Sequence, residues 1–308
     1  MNEKLQDENF HIWSPSCFWG DQMFNLMAAR RLSNGKPVFI HTWRNAWSGH
    51  TQEWLNMDHN ILQFWAKVGF IKGIIFDIDQ YNPIDVGCER SEYPVHMTLL
   101  NRNELSSVGF TYDISNDIDF SSFPAHQRAA ETRWLGGVVG EHHRRRDTDE
   151  KIAVFQPISI LHKRKEDIEL EYSSPWDQCI EALLDKEYKI VAIGSDRDIM
   201  DVEKYYPNLL NKYPIENLMG RTSMFESIDL VMNYASFVLS CDSWSAWYGI
   251  SSRVKTAVAV GRRLDPDHPS SEWTYVQALG NEDIYKLDYA YNKEECDTNL
   301  ANWIKDNA

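Results

Sequence analysis

Short apolar runs alternate with stretches of helical period along most of this chain. His11-Ile12-Trp13 reads as a strand, 14–20 as a loop, and 21–32 as a helix with Phe24, Met27, Ala28 and Arg31 near one face. Asn34-Gly35 closes that helix, and Pro37-Val38-Phe39-Ile40 is the next strand. An amphipathic helix over 53–68 and strands over 73–76 and 95–100 complete the first half. Residues 81–92 show no period and read as loop.

The second half is more regular. Strands over 152–155, 188–193, 216–219, 237–240 and 256–260 are separated by helices over 175–186, from 196 to about 205, and over 223–234. Another helix opens after Cys241-Asp242-Ser243. Pro175 suits a first helical turn, and Ser223 is a natural cap. A last helix is predicted over 293–305. Between the halves, the polar run from Glu141 to Glu150 has no apolar period and reads as an interdomain linker. Strands and helices alternating at this spacing call for an α/β class with parallel sheets covered on both faces. The expected architecture is two Rossmann-like domains facing a cleft, over 1–145 and 151–290, with 291–308 as a closing helix. In open parallel sheets ligands bind at the carboxyl edge, so function belongs in the loops that follow the strands.

Composition narrows the partners. Hydrophobic residues are 43 % of the 308, enough for two cored domains of ordinary size. Lys and Arg total 31 against 46 Asp and Glu, a formal net charge of −15. So acidic a chain repels phosphate backbones at long range and is not a general nucleic-acid coat. Its five cysteines are widely spaced, with no CxxC and no Cys/His cluster of zinc spacing, which fits reduced thiols. The first ten residues are polar, without the apolar centre of a signal peptide, and no run reaches a membrane-spanning length. The expectation is a cytoplasmic protein without a transmembrane segment.

Three strand-to-helix turns carry candidate chemistry. Asp242-Ser243 opens a helix whose N–H groups and dipole suit an anion such as a diphosphate, although either residue is also a plain cap. Gly194-Ser195-Asp196-Arg197-Asp198 offers a carboxylate for ribose hydroxyls, or again a cap. Gly220-Arg221-Thr222-Ser223 offers backbone that frames a base. The Asp77/Asp79 pair is set aside as a metal motif, because a lone DxD is frequent by chance.

The order of these turns resembles glycosyltransferase family 9, the ADP-heptose:lipopolysaccharide heptosyltransferases and their relatives. The matching run is Asn217-Leu218-Met219-Gly220-Arg221-Thr222-Ser223, a helix, the strand Phe237-Val238-Leu239-Ser240, then Asp242-Ser243. Upstream, Gln156-Pro157-Ile158-Ser159, Pro175-Trp176 and Gly194 to Asp198 fall in the family's order, and the likeness is clearest over 151–261. It implies a GT-B fold and a metal-independent, inverting transfer of sugar from a nucleotide sugar to a glycan or glycolipid hydroxyl, with no cofactor. The first domain would then bind the acceptor and the second the nucleotide sugar. Donor contacts fall on Ser159, Gly194, Asp198, Thr222, Asp242 and Ser243, with Lys163 or Lys165 facing the leaving diphosphate. Gly20-Asp21 resembles the family's glycine-aspartate turn, which implies that Asp21 is the general base; without that resemblance the residue reads rather as an N-cap. Trp43, Arg44 and His50, among the aromatic and polar residues after the second strand, are the acceptor-binding candidates. Where the family has glycine and then histidine after its aspartate, this chain has Trp244 and Trp247-Tyr248. That departure keeps a non-catalytic binding protein in view, and transfer to a hydroxylated DNA base is a further alternative.

Overall fold

The structure, a computed structural model, describes residues 9–13, 19–42, 60–76, 95–96, 114–120, 150–158, 176–241, 243–260, 284–288 and 293–308. The chain divides into two compact units, Met1–Ser122 with Gln277–Leu279, and Phe123–Val276 with Gly280–Ala308.

The first unit holds β1 (Phe10–Trp13), α1 (Trp19–Leu32), β2 (Val38–Thr42), a helix α2 described over 60–65, β3 (Ile71–Phe76) and β4 (Val95–His96). Its strands are all parallel, in the order β3-β2-β1-β4. The buried face of α1 runs through Met23, Leu26 and Met27, and Arg31 is exposed. Met27 lies on the inward face as expected, whereas Arg31, expected beside it, does not; the side chains of Phe24 and Ala28 lie outside the description, and the helix starts two residues earlier than predicted. Val68 lies beyond α2, in an isolated bridge with Ile118, so the helix stops short of the predicted end. Arg30 pairs with Asp117 at 3.1 Å and stacks over the Phe70 ring, tying α1 to the turn Ile114–Asp117 and to the residue before β3.

The second unit holds β5 (Ile152–Gln156), α3 (Trp176–Asp185), β6 (Lys189–Ala192), α4 (Asp196–Tyr205), α5 (Leu209–Lys212), β7 (Ile215–Asn217) and α6 (Met224–Asp229). A π-helical turn (Leu230–Tyr234) continues α6, followed by β8 (Phe237–Cys241), α7 (Trp244–Ser251), β9 (Lys255–Val260), β10 (Ile284–Asp288) and α8 (Lys293–Asn307). The six parallel strands run β10-β9-β8-β5-β6-β7. Counted by appearance within the unit, that is the doubly wound order 3-2-1-4-5-6, whose direction reverses between β5 and β8.

Sequence explains the layering. Every residue of β5 and of β8 is buried, as central strands covered on both faces require. On one face α3 buries Trp176, Cys179, Ile180 and Leu183 at helical spacing, and α8 lies beside it with Leu300, Ala301 and Ile304 inward. Trp176 meets Phe155 edge-on with centroids 5.2 Å apart. The other face is covered by the π-helical turn and α7. Gly249 lets α7 sit close: a Cβ there would fall 2.8 Å from Thr256 Oγ1 and 2.9 Å from Val238 Cγ2. The edge strands β7 and β10, and the one-turn helix α5, depart most from the sequence expectation. The strand expected over 216–219 is shifted to Ile215–Asn217, with Met219 in the following turn.

Candidate functional site

Because the strands of the second sheet are parallel, the turns after β5, β6, β7 and β8 all lie along its carboxyl edge. From β7 to β8 that edge spans three strand spacings, roughly 14 Å. The turns after β6 and β7 are joined: Gly220 N–H donates to the Gly194 carbonyl at 2.8 Å, and Leu218 N–H to Ala192 at 2.9 Å. Gly220 has φ +67° and packs so closely that a Cβ would run into the Asp196 carboxylate. Gly194 has φ +156°, with Met219 Cε 2.8 Å from where its Cβ would be. These two glycines allow the turns to nest.

Each of the two turns then caps its own helix. At α4, Ser195 Oγ accepts from Asp198 N–H at 3.3 Å, and the Asp198 carboxylate accepts from Ser195 N–H and from Ser195 Oγ–H, both at 2.8 Å. Asp198 is only 8 % exposed, and these bonds account for its burial. At α6, Ser223 Oγ accepts from Glu226 N–H at 3.2 Å, while Glu226 accepts from Ser223 N–H at 2.6 Å. Thr222 shares a 2.8 Å hydrogen bond with the buried Ser227 hydroxyl, so it too is tied into its turn.

The turn after β8 is built differently. Ser243 precedes α7 in extended conformation, is buried, and makes no side-chain cap hydrogen bond. What anchors α7 lies at its second residue: Ser240 near the end of β8 and Ser245 of α7 share a 2.7 Å hydrogen bond, both wholly buried. Ser240 also reaches the Cys241 carbonyl at 2.6 Å. Trp244 is half-buried and stands edge-on to Tyr248, centroids 5.5 Å apart at 82°, whereas every residue from Ser245 to Ser251 is buried. Burial pushes the Tyr248 phenol well above its ordinary pKa. Trp247 and Tyr248 are thus core residues of the unit, and Trp244 is the aromatic that lies at its edge.

Gly194, Asp198, Thr222 and Ser243 therefore share one edge of one sheet. Asp21 is the third residue of α1, inside the helix rather than before it, so it is not the N-cap; its side chain lies outside the description. Ser159, Lys163, Lys165 and Asp242 lie outside the described residues, as do Trp43, Arg44, His50, the Asp77/Asp79 pair and the His142–Arg146 run. Gln156, which the sequence reading placed in the run Gln156–Ser159 without giving it a role, ends β5 directly beside Ser240. Its signal was a single polar side chain closing an otherwise apolar strand. Among the described residues no group of His, Cys, Asp and Glu is placed to hold a metal, and no helix is long and apolar enough to cross a membrane.

No protein-family model matches this chain, and no curated protein matches it. Solved structures do. A glycosyltransferase family 9 protein from Veillonella parvula is similar over 97 % of this chain and 93 % of its own, at 12 % identity and TM-score 0.50. ADP-heptose lipopolysaccharide heptosyltransferase II of E. coli is similar over 97 % of this chain and 98 % of its own, at 9 % identity and TM-score 0.50. The chain shares the α/β fold of these transferases.

Proposed function

We propose that this protein is a metal-independent, inverting glycosyltransferase that moves a sugar from a nucleotide-sugar donor to a hydroxyl of a glycan or glycolipid. The observation that carries the reading is the start of α7. It lies at the β5/β8 reversal of a doubly wound sheet, where such folds bind ligands, and its own serine does not cap it. Similarity to transferases described as family 9 and as ADP-heptose-dependent supports the same substrate class.

In this reading Asp242 and Ser243 bind the donor, whose diphosphate is held by the first-turn N–H groups of α7. Lys163 or Lys165, with Ser159, offsets charge on the leaving group, doing electrostatically what a metal does elsewhere. Asp198 and Thr222 act through the turns they fix, so that backbone at Gly194 and Gly220 frames the nucleoside. The carboxyl edge is long enough for an extended nucleotide rather than a lone phosphate. Asp21 takes the acceptor proton as the acceptor oxygen bonds to the anomeric carbon, and the bond from that carbon to the diphosphate breaks. Trp43, Arg44 and His50 receive the acceptor.

The test is thermal unfolding of the wild type and of Asp242→Ala with ADP, GDP, UDP and their glucose conjugates. A ligand at about 100 times its Kd stabilises by roughly 2.7 kcal/mol. One nucleotide should shift the wild type and leave the variant unmoved. A wild type that no nucleotide shifts at millimolar concentration sinks the proposal.

A further inference from the structure

Gln156 ends β5, the strand at the point where the order of the second sheet reverses. It is in register with Ser240, so both side chains leave the sheet on the face that α7 covers. The residue is 2 % exposed. Among the described residues its amide nitrogen reaches only the Ile158 carbonyl, at a long 3.4 Å, and its amide oxygen has no hydrogen-bond partner. The neighbouring hydroxyls are already committed: Ser240 donates to the Cys241 carbonyl, and the Ser245 proton then serves the Ser240–Ser245 bond. A buried acceptor without a donor is destabilising, and a native structure that keeps one asks for a reason outside the folded chain.

Two unmet needs thus meet at one place. The start of α7 wants an acceptor, preferably anionic, and Gln156 Oε1 wants a donor. A phosphate alone answers the first. A phosphate carrying a sugar, with a hydroxyl close to the phosphate ester, answers both. The terminal torsion of a glutamine is broad, so the carboxamide turns toward such a hydroxyl at little cost.

We infer that Gln156 is a specificity-determining residue that separates a nucleotide sugar from the bare nucleoside diphosphate, by accepting a hydrogen bond from a sugar hydroxyl near the phosphate. The inference rests on the function proposed above and deepens it.

Titration calorimetry with ADP, GDP, UDP and their glucose conjugates, on wild type, Gln156→Met and Gln156→Leu, separates the two. The wild type should prefer a sugar conjugate over its nucleoside diphosphate. Both variants should weaken the conjugate about tenfold, the scale of one lost hydrogen bond, and leave the diphosphate within about twofold. Their ligand-free melting temperatures should match or exceed the wild type, because an unpartnered buried oxygen has been replaced by apolar atoms. Unchanged conjugate affinity overturns the inference. So does equal weakening of both ligands, or a lower ligand-free melting temperature in both variants, either of which makes Gln156 structural. A wild type that binds nucleoside diphosphates without preferring the sugar conjugate overturns the inference and leaves the donor site standing. A wild type that binds none of the six overturns the functional reading itself.

Discussion

Among the helices that begin at the carboxyl edge of the second sheet, α4, α6 and α7 begin in two ways. α4 and α6 each open with a serine at the cap and an acid three residues on, so that side chain and backbone satisfy one another reciprocally. α7 opens with a serine that caps nothing, and is fastened instead by a buried hydroxyl pair to the end of β8. The first arrangement is closed, since the helix start is consumed by the helix's own sequence. The second fixes the helix firmly while leaving its positive end for something else. Position sharpens the contrast: the self-capped helices follow β6 and β7, while the uncapped one lies at the β5/β8 reversal.

That contrast can be broken experimentally. The largest expected effect is at the hydroxyl pair. Ser240→Ala leaves the buried Ser245 hydroxyl without its partner and should cost about 1–3 kcal/mol in urea unfolding, whereas Ser240→Ala combined with Ser245→Ala should recover much of it. A negligible cost for the single change would mean that the pair does not hold α7. Next come the self-capped helices. Ser195→Ala and Ser223→Ala should each lose about 1 kcal/mol by the same measurement, with any nucleotide-induced stabilisation retained. Should either abolish the nucleotide response while leaving stability intact, the serine side chain would be binding ligand rather than capping. The smallest effect is predicted for Ser243→Ala, which has no cap bond to lose: ligand-free stability should change by no more than about 0.5 kcal/mol. A loss near that of Ser195→Ala would erase the distinction between the two kinds of helix start.

Much of this could be read from residues alone, for identifiable reasons. Central strands such as Ile152–Gln156 and Phe237–Cys241 are continuous apolar runs because both faces are covered, and α3 shows its buried stripe plainly at Trp176, Cys179, Ile180 and Leu183. The β10 strand, Ile-Tyr-Lys-Leu-Asp, went unread because an edge strand carries a weaker apolar signal and its polar residues resemble loop. The one-turn helix α5 is too short to display a period. The start of α1 moved Asp21 from a cap position into the helix, a shift of two residues that propensity alone does not resolve. At the site, the sequence marked Asp198, Thr222 and Ser243 as polar residues at the right turns, but their type did not say which were already occupied.

The sequence by itself determined the alternation of elements, the net negative charge and the local caps at Ser195 and Ser223. Those are local properties, written in periods of two and 3.6 residues and in side chains that reach only three or four positions along the chain. Tertiary structure alone decided the strand order, and with it that Gln156 stands beside Ser240, 84 residues later in the chain, at the reversal of the sheet. It also decided that Ser240 and Ser245 satisfy each other while the Gln156 oxygen is left wanting. Whether a polar atom is spent or available depends on which distant neighbours packing brings within about 3 Å, and no local pattern encodes that distance.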